Sequence, residues 1–353
     1  MPESLHLLVY IFIGILTVVL LLIFAVLFYS FYLYRELQHR RFWAVLIDRK
    51  VSKAIVHGIH DSATSPQFAK VSRQSGFRGF FLEMLVSSEK KFSGLAQGEI
   101  RGIFHSYHLE KEAYKKLSQK KPYLIAGGIQ ELTAMNVEEA IPQISVFVNH
   151  PSPQVFQEAR YAMAAFRGFE GLQFLDNISN RISDWQQLRL LLSITHIPEG
   201  SESTVLRWLG SPNSSVVIFT LSLLRKFQLL SHYPTVWNLL DHPNEDVRGK
   251  AVQTLQCLEN TSTMVDLIDV FPNQPLLVQL EVLKAMKRSR DQRCVPFLQN
   301  LLLHYENIAI KIGASETLFA LGHEAYLKKL AESDSSSGHL IKIIKHALQE
   351  RVC

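Results

Sequence analysis

Apolar stripes recur about every thirty-one residues through the C-terminal two thirds of the chain, and this recurrence restricts the fold more than any other feature. Segments that open on a turn and run into an apolar stretch begin at Pro151 (PSPQVFQEARYAMAAF), Pro212 (PNSSVVIFTLSLLRKF), Pro243 (PNEDVRGKAVQTLQCL) and Pro272 (PNQPLLVQLEVLKAM). Their apolar anchors are Val155, Val216, Val247 and Val278, separated by 61, 31 and 31 residues. Half of the first gap lands near Gln186, in DWQQLRLLLSI, and the same step reaches Leu124 backwards and Ile310 and Leu340 forwards. Four residues after each anchor the side chain is mostly small or apolar: Gly128, Ala159, Leu190, Thr220, Ala251, Val282, Ala314 and Ile344. Eight residues after, it is apolar: Leu132, Met163, Ile194, Leu224, Leu255, Met286, Leu318 and Leu348. Spacings of four and eight share one helical face, so each segment is expected to be a helix with a buried stripe.

The turns carry helix-start chemistry. Ser152, Asn213 and Asn244 stand three residues before their anchors, where a side-chain oxygen accepts from the first unsatisfied N–H groups. Pro153 and Pro275 suit the first helical position. Another apolar stretch precedes each turn, such as IPQISVFVN, TVLRWLG, TVWNLLD and VPFLQNLLL, so the unit is helix, short turn, helix. One such pair cannot bury its apolar face alone, whereas stacked pairs share a continuous core.

This arrangement resembles the HEAT-repeat family of armadillo-like helical repeats, including its bacterial short-repeat members. The segment VWNLLDHPNEDVRGKAVQTLQCL carries the resemblance best, with Asp241, Val247, Arg248 and Ala251 in positions the family favours. The family's Arg after the anchor is met by Arg248 and, as Lys, by Lys311, and is replaced by Phe156, Gln187, Val217 and Gln279 elsewhere. The resemblance covers about residues 122–350 and implies an α-solenoid of about eight helical pairs presenting an extended groove to a protein partner.

The N-terminus has different physics. No Asp, Glu, Lys or Arg lies between Glu3 and Arg35, and Leu7–Tyr34 reads LLVYIFIGILTVVLLLIFAVLFYSFYLY. A span needs about 20 apolar residues, and a packed soluble helix would show a polar face that is missing here. Tyr29, Tyr32 and Tyr34 gather at one end, as headgroup-level aromatics do. The start MPESLH has no basic residue and the exit is bulky, which favours a retained anchor over a signal peptide. Arg35, Arg40, Arg41, Arg49, Lys50 and Lys53 follow the run and only Glu3 precedes it. The positive-inside bias therefore expects a single-pass protein with its N-terminus outside and its C-terminal body cytoplasmic.

The expected organisation is an all-α chain. Residues 1–34 form a transmembrane helix and 35–60 a basic juxtamembrane helix. Residues 61–120 supply a hinge (61–76) and leading helices, and 121–353 the repeat array. Within 35–60, Arg35, Arg40, Arg41, Trp43, Arg49, Lys50 and Lys53 are the candidate membrane-interface residues, and two readings stay open. The helix lies on anionic headgroups, or it packs on the following domain.

Charge follows the same division. Residues 1–120 hold 16 Lys+Arg against 9 Asp+Glu, a net +7, and residues 121–353 hold 21 against 23, a net −2. The repeat array therefore lacks the extended positive surface that nucleic acid requires. Its one basic cluster, Lys284, Lys287, Arg288, Arg290 and Arg293, is a candidate anion or partner contact, or a solvated helix end. Cys257, Cys294 and Cys353 are too few and too widely spaced for a disulfide framework or a zinc pattern. No GxSxG, GxxxxGK[ST] or HExxH motif occurs. His57/His60 and His105/His108 have i,i+3 spacing, but no third ligand accompanies them. Glu138–Glu139 and Asp266/Asp269 read as helix-end or solvated carboxylates. Three glycosylation triplets, at Asn177, Asn213 and Asn260, carry no meaning on a cytoplasmic domain.

These features expect a membrane-tethered, non-catalytic scaffold that binds a protein partner and needs no cofactor or metal. The resemblance leaves two alternatives: a chromophore-handling enzyme like the bilin lyases, which share short HEAT-like repeats, and a nucleic-acid-binding HEAT protein.

Overall fold

The computed structural model describes residues 2–59, 65–333 and 338–349, and among them every regular element is helical. The chain forms two compact units, Met1–Phe166 and Arg167–Cys353.

The first unit begins with α1, Pro2–His57, one uninterrupted helix. The large apolar side chains from Phe12 to Tyr34 are all exposed, and this helix is long and apolar enough to cross a membrane. Thr17 satisfies its hydroxyl inside that stretch by donating to the Ile13 carbonyl at 2.8 Å. Past residue 40 the same helix acquires a buried stripe: Leu46, Ile47, Lys50, Val51 and Ala54.

After α2 (Pro66–Val71), that stripe packs on α3 (Ser75–Glu89) and α4 (Leu95–Ser106), followed by α5 (Glu110–Leu117), α6 (Pro122–Ala134), α7 (Ile141–Ser145) and α8 (Pro153–Arg167). Where the sequence suggested a hinge, α2 forms: Ser65 accepts from the Phe68 N–H at 3.2 Å and Pro66 takes the first turn. Phe68 then meets Phe77, Phe81 and Tyr107 edge-on at 5.4, 5.4 and 5.5 Å between centroids. Arg78 locks the turn between α4 and α5. It donates to the carbonyls of Tyr107 (3.0 Å) and His108 (2.7 Å) and to Glu112 (2.9 Å). α5 and α6 approach closely at Gly128, where a Cβ would stand 2.8 Å from the Ala113 carbonyl oxygen.

The second unit opens with a 3-10 segment, Gly168–Asn177, and then α9 (Asp184–Ser193). Ten helices follow: α10 (Glu202–Leu209), α11 (Ser214–Phe227), α12 (Tyr233–Asn238), α13 (Glu245–Cys257), α14 (Thr263–Val270), α15 (Leu276–Ser289), α16 (Val295–His304), α17 (Ile308–Ala320), α18 (Glu324–Ala331) and α19 (Gly338–Gln349). Packing follows a simple rule. α9, α11, α13, α15, α17 and α19 each lie against the next of that series, and α10, α12, α14, α16 and α18 each pack on the helix that follows.

The expected stripes are visible residue by residue. All eight positions four after an anchor are buried, from Gly128 to Ile344. Val155, Val216, Val247, Val278 and Ile310 are fully buried anchors, whereas Leu124 and Gln186 are only half-buried. Gln186 instead closes a capping box with Ser183 at the start of α9. Asn213 and Asn244 cap α11 and α13, as their spacing suggested, and Asn307 caps α17 in the same way. No side-chain cap joins Ser152 to α8; its N–H donates to His150 Nδ1. Pro275 precedes the first helical residue of α15 instead of occupying it. Hydrogen bonds between segments step by one unit of the repeat. In the second unit they run from 26 residues, Gln279 to Tyr305, to 35 residues, Lys226 to the Leu191 carbonyl.

Candidate docking groove

The second unit bears an open groove of about 610 Å³ along α9, α11, α13 and α15. It arises directly from the repeat. The position two residues after an anchor faces away from the buried stripe, and four such positions, Leu188, Ile218, Gly249 and Leu280, line the groove. Leu191 and Leu277 extend this apolar floor. Gly249 interrupts it, and a Cβ there would meet only the Glu281 Cγ, at 3.7 Å, so the glycine leaves a notch.

Polar side chains tie the wall together across successive helices. Arg225 on α11 donates to Gln253 on α13 at 3.2 Å, and Gln253 donates to Glu281 on α15 at 2.9 Å. Lys284 closes on Glu281 at 2.6 Å. Burial raises the Glu281 carboxyl, but the hydrogen bonds from Lys284 and Gln253 outweigh it and hold the group below its ordinary value. Lys250, half-buried in the groove, lies below the ordinary lysine value because burial and the Arg225 charge disfavour its ammonium, with Asp184 opposing. Asp184, Glu245 and Asp246 are exposed in the first turns of α9 and α13, where a helix N-terminus favours carboxylates. Among the described residues no histidine or cysteine lines the groove, and one hydroxyl does, Ser222, which donates to the Ile218 carbonyl at 3.0 Å. The surface offers leucine-sized contacts, fixed charges and hydrogen-bonding groups.

A smaller recess of about 300 Å³ surrounds Asp176, which accepts from Arg207 at 3.0 Å and from the Trp208 indole at 2.7 Å. Those bonds consume the carboxylate.

The candidates singled out from the sequence are distributed as follows. The cluster Lys284, Lys287, Arg288, Arg290 and Arg293 is not an open cationic face. Lys284 pairs with Glu281, Lys287 with Glu316 at 3.2 Å, and Arg293 with Asp291 at 2.6 Å. Arg290 takes a left-handed backbone (φ 58°) that ends α15. Arg288 lies close enough to Glu281 to help depress its carboxyl. Lys284 alone of the five lines the groove.

Among the membrane-interface candidates, Trp43 packs on Phe77 and Phe80 and Lys50 is buried in the first unit. The α1 helix past residue 40 thus takes the second of its two open readings, packing on the following domain. Arg35, Arg40, Arg41, Arg49 and Lys53 remain exposed, with Arg40 bonded to Glu36 at 3.1 Å.

His105 and His108 do not share a helix face, because α4 ends at Ser106 and His108 takes a left-handed backbone (φ 49°). His60 and Cys353 lie outside the described residues. Among the described residues no three His, Cys, Asp or Glu side chains gather as a metal site. Cys294 is buried, and burial pushes its thiol up to about 12, with Asp291 adding and Arg293 opposing. The groove residues at the positions two after each anchor went unmarked in the sequence, although the same repeat alignment locates them.

The chain matches no family model and no curated protein.

Proposed function

We propose that this chain is a membrane-tethered scaffold whose second unit holds a protein partner in the groove along α9, α11, α13 and α15. The observation that carries the reading is the coexistence, on one chain, of an uncovered apolar helix and a row of stacked helices exposing leucines beside fixed charges. In this reading α10/α11, α12/α13, α14/α15, α16/α17 and α18/α19 are five HEAT-like pairs of a short α-solenoid. The segment 168–193 is the less regular start of this array within the second unit, and the register continues in the sequence back to Leu124, for a count of about eight units. Such arrays use the exposed side of their second helices for extended contact with polypeptides. The arginines that follow the apolar run favour a cytoplasmic body. Tethering confines the groove to a thin layer beside the bilayer and raises the effective concentration of membrane-associated partners. Pairing of Lys284, Lys287 and Arg293 with Glu281, Glu316 and Asp291 leaves only Arg288 and Arg290 of the cluster without an ion pair among the described residues, which supports a protein occupant over nucleic acid.

The test is site-specific photo-cross-linking of the full chain in its own membrane. A photoreactive residue at Leu188 or at Leu277 is expected to capture one and the same protein. One at Leu230, exposed on the same unit but outside the groove, is expected to capture none. Equal adducts from Leu230, or none from either groove position, would overturn the reading.

A further inference from the structure

The first unit, with α1 taken as the membrane span proposed above, has an end that faces the bilayer, and packing within the unit identifies it. Trp43 meets Phe77 edge-on at 5.7 Å, and a Cβ on Gly76 would stand 3.5 Å from its indole, so α3 starts beside the upper part of the buried stripe. At the other end of that stripe, the Ile59 N–H donates to Glu99 at 2.8 Å, so α4 starts there. α4 then returns: Tyr107 reaches Phe68 and Phe81, and Arg78, in the first turn of α3, grips the Tyr107 and His108 carbonyls. The α2–α3 turn and the α4–α5 turn therefore lie at the level of Trp43, on the side where α1 leads to its apolar run. The α3–α4 turn, with Lys90 and Lys91, lies about 20 Å further along α1.

Basic groups from separate elements converge at the near end. Arg35, Arg40 and Arg41 leave the apolar run on α1. Lys70 ends α2, Arg73 sits in the turn before α3, and Lys111 occupies the first turn of α5, all exposed. Of the carboxylates nearby, Glu36 pairs with Arg40 and Glu112 with Arg78 and Lys115, while Glu110 lies 3.4 Å from the His108 imidazole. Among the described residues no carboxylate pairs with Arg35, Arg41, Lys70, Arg73 or Lys111. Leu7–Tyr34 is about 42 Å long as a helix, which matches a bilayer with its headgroup layers. Trp43 then stands about 14 Å beyond the last tyrosine, and Arg40 and Arg41 about 10 Å beyond it. The screening length at physiological salt is about 8 Å, so the backbone at the level of Trp43 stands beyond it, and docking depends on a tilt of the span and on long basic side chains that carry their charge toward the headgroups.

We propose that the end of the first unit formed by the α2–α3 turn and the start of α5, with Lys70, Arg73 and Lys111, docks on anionic lipid headgroups beside the span. The partner is a lipid surface of negative charge, read by its phosphates. This docking adds three basic side chains from outside α1 to the arginines at its exit. It holds the first unit in one attitude to the bilayer, because α1 enters the fold without a break.

The test is hydrogen exchange of the full chain in lipid nanodiscs, one set of zwitterionic phosphatidylcholine and one containing phosphatidylglycerol. Anionic discs are expected to slow exchange in residues 70–75 and 108–112 and to leave 88–95, the far turn, unchanged. High salt is expected to remove the difference. So is the variant K70Q/R73Q/K111Q, with K90Q/K91Q as the control that retains it. If the chain co-elutes with discs of both kinds and residues 70–75 exchange identically in the two, docking is overturned and the span stands. If the chain leaves the lipid altogether, the span reading fails and docking with it.

Discussion

Replacing Leu255 by alanine probes the stack where it is best defined. Leu255 is fully buried on α13, eight residues after Val247, between α11 and α15. Removing its outer carbons forfeits about 2–2.5 kcal/mol of transfer free energy at about 0.8 kcal/mol per methylene group, and the residual cavity brings the cost to about 3 kcal/mol. For a unit of this size that corresponds to a fall of about 6–12 °C in Tm. Leu277→Ala is the matched control, because Leu277 keeps 61% of its surface exposed and should cost less than about 0.5 kcal/mol. Circular dichroism melts of the full chain in detergent measure both. Hydrogen exchange adds a positional readout. In a stack where each pair touches only its neighbours, L255A should speed exchange in α11, α13 and α15 before α19. Equal melting shifts for the two variants, or a uniform rise in exchange along the unit, would refute this account of the packing.

Further outcomes follow from single groups. Asn244→Ala removes the acceptor for the Asp246 and Val247 N–H groups and should cost about 1 kcal/mol by the same melts, whereas Ser152→Ala, which removes no side-chain cap, should cost far less. Burial raises the Glu131 carboxyl above its ordinary value of 4.5; Lys116 opposes the shift and Glu83 adds to it. A raised folded-state value stabilises below the ordinary value and is lost as pH climbs through it. The Tm gain of Glu131→Gln over the parent should therefore grow between about pH 4 and pH 7, and a gain that shrinks would contradict the assignment. Cys294, its thiol pushed up to about 12, should resist alkylation in the native chain while the exposed Cys257 reacts, as peptide mass mapping would show.

Much of the second unit was legible because its signal is local and periodic. The positions four after each anchor are buried without exception, and Asn213 and Asn244 cap where a polar residue precedes a stripe by three. Ser183 and Asn307 obey the same rule but were hidden, one by a half-buried Gln anchor and the other by a turn without the usual proline. Gly168–Asn177 winds as a 3-10 helix from a left-handed glycine, which apolar spacing does not announce. The first unit was less legible for a different reason. An amphipathic stripe states that something apolar covers it, not whether that cover is lipid or protein. For Trp43 and Lys50 the sequence left headgroups and the following domain equally open as cover, and in the fold they pack on α3 and within the core. The groove was implicit in the repeat, since Leu188, Ile218, Gly249 and Leu280 share one register, but which side of a helix stays open depends on the helices beside it.

The central claim is that the thirty-one-residue recurrence is a row of side-by-side helices on a membrane-tethered chain. Pulsed electron–electron resonance on the full chain in nanodiscs tests it most directly, with one spin label at position 188 and the other at 249, 280 or 312. Helices packed 8–10 Å apart predict distances that climb by about 9 Å per step, near 18, 27 and 36 Å. Distances that do not rise in that order, or that collapse to one value as in a single compact core, would contradict it.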